Sequence, residues 1–136
     1  MKLVVCVPYI LAEGIIERMV LETCKKYNPA IYASIYKKDK TYKEFSEFDV
    51  QILKNPVIEA PLSLLGQGPI REHASAGLNF LAYKIKEDYD VINAYSPAHW
   101  IRNRNPRVCC FFTSPYRTAF DLYDEKVRPL PMPKRL

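Results

Sequence analysis

The sequence predicts an α/β fold, a Rossmann-like, doubly wound and mainly parallel sheet flanked by helices. Three observations carry that expectation. Short apolar runs rich in β-branched residues, LVVCV at 3–7 first among them, lack in-out alternation and read as strands covered on both faces. Two longer stretches, opening at Gly14 and Gly68, instead repeat their apolar residues at 3.6-residue spacing. Strands and helices alternate in the order that right-handed crossovers wind into a parallel sheet.

Residues 3–7 make the first, central strand, and Pro8 ends it. In the helix from Gly14, Ile15, Ile16, Met19, Val20, Thr23, Cys24 and Tyr27 share one side, opposite Glu17, Arg18, Glu22, Lys25 and Lys26. Arg18 with Glu22 and Glu22 with Lys26 are spaced as surface ion pairs worth roughly 0.3 kcal/mol each. Asn28-Pro29 stops the helix, because a residue before proline is pushed out of the α region. Residues 30–36 form the second strand, 37–43 a charged surface loop, and 49–53 a shorter third strand.

Residues 54–69 carry three prolines and two glycines around LSLLG, which predicts an irregular segment with at most one apolar turn on the sheet. Gly68-Pro69 opens the second helix, where a proline loses nothing at the first turn. Its inner face is Ile70, Ala74, Gly77, Leu78, Leu81, Ala82 and Ile85, with Ala74 and Gly77 allowing close approach to the sheet. Lys84 and Lys86 complement its dipole. Residues 88–94 and 108–112 are the fourth and fifth strands, and 120–125 a short helix. One domain is expected over 1–126, short of its final elements, followed by a proline-rich basic tail at 127–136.

A chain of 136 residues is long enough to bury roughly two-thirds of its unfolded surface, so no metal or disulfide staple is needed. Hydrophobic residues at 49% and charged residues at 26% exclude an acidic disordered chain. Nothing approaches the ~18 consecutive apolar residues of a spanning helix. The amino terminus has no signal-peptide pattern, so the expected location is cytoplasmic, with at most peripheral contact with the inner face of a membrane. Cys6, Cys24, Cys109 and Cys110 are expected to be buried and reduced, with neither zinc-site nor redox spacing. The net charge of +5 permits contact with phosphates. Basic residues cluster only at Arg102, Arg104 and Arg107 and at Arg128, Lys134 and Arg135. With no nucleic-acid-binding signature beside them, nucleic acid is not an expected partner.

The chemically capable residues lie after the fourth and fifth strands, where an open α/β sheet binds its ligands. The first loop offers Asn93, Tyr95, Ser96, His99 and Trp100; the second offers Thr113, Ser114, Tyr116 and Arg117. His99 can act as a base or polarise a ligand, or pack as an ordinary loop histidine; His73 reads as structural or solvated. Arg117 can hold a carboxylate or phosphate, or pair with Asp121. The helix start at Gly14 is placed to bind a phosphate or simply to turn the chain, but YILAEGII lacks a dinucleotide fingerprint. The absence of G-x-S-x-G disfavours a self-contained hydrolase.

Three segments, GIIERMV at 14–20, DVINAYSPAHW at 90–100 and RVCCFFTSPYR with DLYD from 107 to 124, together resemble the N-terminal half of retaining family 4 glycosyltransferases. Those enzymes, also called glycosyl transferase group 1, have the GT-B architecture of two Rossmann-like domains facing a cleft. The resemblance implies that this half binds the acceptor, while a C-terminal domain holds the nucleotide-sugar donor.

By the resemblance, Gly14 and Ile15 belong to the donor-phosphate loop, with Ile15 replacing a glycine, and Glu17-Arg18 match its E-R pair. His99, Trp100, Thr113, Ser114 and Arg117 line the acceptor side, His99 and Thr113 being the catalytic candidates. Thr113 stands where the family carries histidine and cannot titrate as one. No metal or cofactor is implied, the nucleotide sugar being a substrate. The expected function is therefore an acceptor-binding half-enzyme, inactive alone, that needs a separate or missing donor-binding domain. Its partners are a donor-domain chain or a second copy, and a sugar or lipid-linked acceptor. The alternatives are a non-catalytic Rossmann-like binding or assembly module, and a small nucleotide-binding protein using the Gly14 helix.

Overall fold

The computed structural model describes residues 2–65, 68–85, 89–101 and 108–111. Five strands, β1 (Leu3–Ile10), β2 (Ala30–Tyr36), β3 (Val50–Ile52), β4 (Val91–Tyr95) and β5 (Val108–Phe111), form one sheet in the order β3-β2-β1-β4-β5. All four pairings are parallel. The helices are α1 (Ile15–Tyr27), α2 (Pro56–Leu62) and α3 (Pro69–Ala82).

Side chains of β1 divide between two cores, as the doubly wound reading requires. Val4 and Cys6 meet Tyr32, Phe80, Ile92 and Ala94 on the α3 face. Val5 and Val7 meet Val20, Leu21 and Cys24 of α1 on the other, with Ile31 and Ala33. A 3-10 turn at Lys43–Glu47 links β2 to β3 and buries Phe45 in the α1 core. This is a Rossmann-like α/β fold.

Pro8 does not end β1. The pairing with β4 stops at Cys6, so no β4 ladder is present where the proline lacks its N–H. The β2 ladder continues past it, pairing Tyr9 with Ile35 and Ile10 with Tyr36.

Helix α1 ends where expected, with Asn28 in the left-handed conformation and its N–H on the Cys24 carbonyl. Its buried residues are Val20, Leu21 and Cys24, so the expected face is corrected: Leu21 joins it, while Ile15 is 81% exposed and Met19 and Tyr27 are also exposed. The helix packs on the sheet through Ile16, Val20, Leu21 and Cys24. The ion pairs differ too, Lys25 reaching Glu22 at 3.6 Å and Glu44 at 3.7 Å.

Residues 56–62 form a helix rather than an irregular segment. Asn55 supplies the cap, its side chain accepting the Val57 N–H at 3.0 Å, and Pro56 occupies the first turn. No residue of α2 is buried. Polar bonds tie it to α3 instead: Ser75 donates to Glu59, Asn79 donates to Glu59 at 2.7 Å, and Asn79 accepts the Asn55 N–H at 2.8 Å.

That network also rotates α3 from its expected orientation. Ser75, Ala76, Gly77, Asn79 and Phe80 face inward, while Leu78, Leu81 and Ala82 are exposed. Ile85 is buried, but beyond the helix, and Lys84 lies past the end of α3.

Burial alone would raise the Glu59 carboxyl, but the bonds from Ser75 and Asn79, with Lys54 and Arg71 nearby, outweigh it and hold the group below 4.5. Its ionised form therefore stabilises the fold above that pH, and the contribution disappears as pH falls through the lowered folded value. In denaturation series through the acid range, Glu59→Gln is expected to flatten the decline in stability. An unchanged acid limb would show that Glu59 does not shape it.

Cys6 and Cys24 are buried as expected, and burial pushes the Cys24 thiol up to about 12. Cys109 is exposed, contrary to expectation, on β5, which ends the strand order. The expected helix at 120–125, the tail at 127–136 and both basic clusters lie outside the described residues.

Candidate functional site

From β1 the chain steps outward through β2 to β3, then crosses back so that β4 lies on the other side of β1. At such a reversal the loops leaving the two central strands part, which opens a crevice at their carboxyl ends. Two side-chain pairs lie near these strand ends: Tyr9 of β1 bonded to His73 of α3, and His99 with Trp100 in the 3-10 turn after β4, which packs on α3 at Gly77.

The turn Ala98–Trp100 is fixed by its neighbours. Ala98 and Ile101 are buried in the α3-side core, and the Ile101 N–H donates to the Ala98 carbonyl at 3.1 Å. The Ser96–Pro97 bond that precedes it is cis. Anchored on both sides, the turn leaves His99 partly exposed and Trp100 47% exposed. Their rings meet edge to face, with centroids 5.9 Å apart.

Gly77 provides the seat for Trp100. A Cβ at position 77 would fall 2.8 Å from Trp100 Cζ3 and 3.6 Å from Pro97 Cβ. The close approach at Gly77, expected against the sheet, is to the side chains of this loop. Gly77→Ala should improve helix propensity yet displace the indole. Because the protein has one tryptophan, its emission reports that ring alone. A red shift with easier acrylamide quenching is expected; an unaltered spectrum would mean that the ring does not depend on this seat.

Tyr9 bonds to His73, hydroxyl to Nδ1, at 3.1 Å. Val5, Val7 and Ile10 all join the α1-side core, so strict alternation slips by one residue near Pro8 and Tyr9. That slip lets Tyr9 reach α3. Burial holds the His73 imidazole below 6.5, so the ring is neutral at pH 7 and carries one donor and one acceptor nitrogen. His73 is therefore a bonded, partly buried residue, in keeping with the structural one of its two expected readings.

The β1–α1 loop is closed on itself. Glu17 Oε1 accepts the Leu11 N–H at 3.3 Å, and Thr41 donates to the Ala12 carbonyl at 2.9 Å. Gly14 is extended, and a Cβ there would meet Glu17 Oε2 at 2.6 Å. The helix start expected to accept phosphate thus already holds a carboxylate, with Ile15 exposed beside it.

Of the acceptor-side candidates, His99 and Trp100 come together at the crevice, whereas Thr113, Ser114 and Arg117 lie outside the described residues. Among the described residues, no group of three or more His, Cys, Asp or Glu is placed to hold a metal, and no helix is long and apolar enough to cross a membrane. A separate groove between α2 and the end of α3 is bordered by Asn55, Asn79 and Tyr83. Its two asparagines hold these helices together. No family model, curated protein or solved structure matches this chain.

Proposed function

We propose that this chain is the acceptor-binding half of a glycosyltransferase, with the nucleotide-sugar donor held by a domain supplied from outside these 136 residues. The observation that supports it most is the half-exposed Trp100, seated over Gly77 and beside His99 at the β1–β4 crevice. An indole presents a flat apolar face and one N–H donor, suited to a sugar ring with hydroxyls at its edge. The Rossmann-like sheet is the unit from which a GT-B enzyme is built, and the residues involved fall in the Ala98-His99-Trp100 motif.

In the reaction, the bond from the sugar's anomeric carbon to the donor phosphate breaks, and a bond to an acceptor hydroxyl oxygen forms. The nucleotide leaves with the electron pair, and the acceptor proton is lost to a base. His99 is the candidate base on this wall, and Trp100 orients the acceptor. The proposal includes a cytoplasmic location with at most peripheral membrane contact, and association with a donor-domain chain.

Glu17 also determines how the isolated chain should behave. A phosphate could use the Gly14–Ile15 loop only after that carboxylate leaves Leu11. Calorimetry is therefore expected to detect acceptor sugars but no saturable nucleotide binding. Saturable nucleotide binding without sugar binding would favour a nucleotide-binding protein instead.

A further inference from the structure

We infer that Tyr9 and His73, together with Trp100, form a subsite that binds the hydroxyl groups of a neutral sugar ring in preference to a phosphate. The inference rests on the acceptor-binding reading and specifies which part of an acceptor this wall recognises. His73 and Gly77 are four residues apart on α3, hence neighbours on one face. Since Trp100 sits on Gly77, its ring lies about one helical turn from the Tyr9–His73 pair.

The donor and acceptor groups select the ligand class. Even bonded to each other, a tyrosine hydroxyl and a neutral imidazole have between them one further donor and one further acceptor position, which matches a sugar hydroxyl that both donates and accepts. A phosphate is anionic and mainly an acceptor, so it favours cationic donors. Here burial keeps His73 neutral, and the Glu17 carboxylate occupies the adjacent loop. The indole adds an apolar surface for the ring carbons.

The chain contains two histidines, so ring-proton NMR gives two sets of signals, assignable with His99→Gln. Wild-type protein would be titrated with glucose, N-acetylglucosamine and myo-inositol, then with inorganic phosphate and glucose 1-phosphate. The expected result is a saturable shift of the His73 signals with at least one neutral probe and none with inorganic phosphate. Tyr9→Phe should raise the half-saturating concentration about fivefold, the loss of one hydrogen bond, with His73→Asn as a second test.

Neutral probes that move His99 alone would overturn the inference and leave the acceptor reading standing. A His73 response to phosphate alone would overturn the choice of ligand class. If no probe moves either histidine, both the inference and the acceptor reading fail. These wild-type outcomes do not depend on whether a variant folds.

Discussion

Phe80→Ala is expected to cost about 3–5 kcal/mol, the typical effect of removing a phenyl ring from a packed core. A domain of this size has roughly 5–15 kcal/mol in total, so the variant should be close to unfolding in mild denaturant. Phe80 is fully buried between α3 and the sheet, against the core containing Val4, Cys6, Tyr32, Ile92 and Ala94. Leu81, next along the helix and the residue that hydropathy would place inside, is 45% exposed. Leu81→Ala should therefore cost much less, about 1 kcal/mol or below. Urea midpoints of the two variants test the rotation of α3 directly. A larger loss for Leu81 would reverse the assigned face.

Asn79→Ala carries the second large expected effect, about 1–3 kcal/mol, because it leaves buried Ser75 and the partly buried Glu59 and Asn55 without their bonds to it. Asn79 is almost wholly buried and connects three groups: Glu59, Ser75 and the Asn55 N–H at the start of α2. Since α2 buries none of its own residues, this network is its main attachment. Glu59→Gln alone should be milder, as both bonds end on one oxygen, Oε1, and an amide oxygen can still accept them. The double variant should lose less than the two single losses added together, because the residues share one network. Additive losses would mean that Asn79 and Glu59 act independently.

The sheet was legible because LVVCV and AIYASIY carry their strand signal locally, and Asn28-Pro29 states the end of α1. The helix faces were less legible. Apolar periodicity cannot anticipate that Ser75 and Asn79 are drawn inward by Glu59, a residue 16 and 20 positions away. Helix α2 escapes the same method, since PVIEAPL is apolar on nearly every side and carries two prolines in seven residues. Its Asn55-Pro56 start was nevertheless a readable cap signal. Pro8 misled because its tolerance depends on where β4 stops pairing, a fact about another strand.

The position of the Ala98-His99-Trp100 motif just after the fourth strand was readable from sequence. The pairing of Tyr9 and His73, 64 residues apart, was not, since their contact is made only by the fold. The readable hint was Gly77, a glycine inside a helix one turn from His73, which marks a close approach by another group.

The most direct test of the acceptor-half proposal is transfer in a reconstituted pair. This chain would be mixed with a candidate donor-binding chain, and radiolabelled sugar followed from a nucleotide donor into acceptor. The expected result is transfer in the mixture, none with either chain alone, and a marked loss when His99→Ala or Trp100→Ala replaces the wild-type chain. Equal transfer with and without this chain, or with both variants, would contradict it.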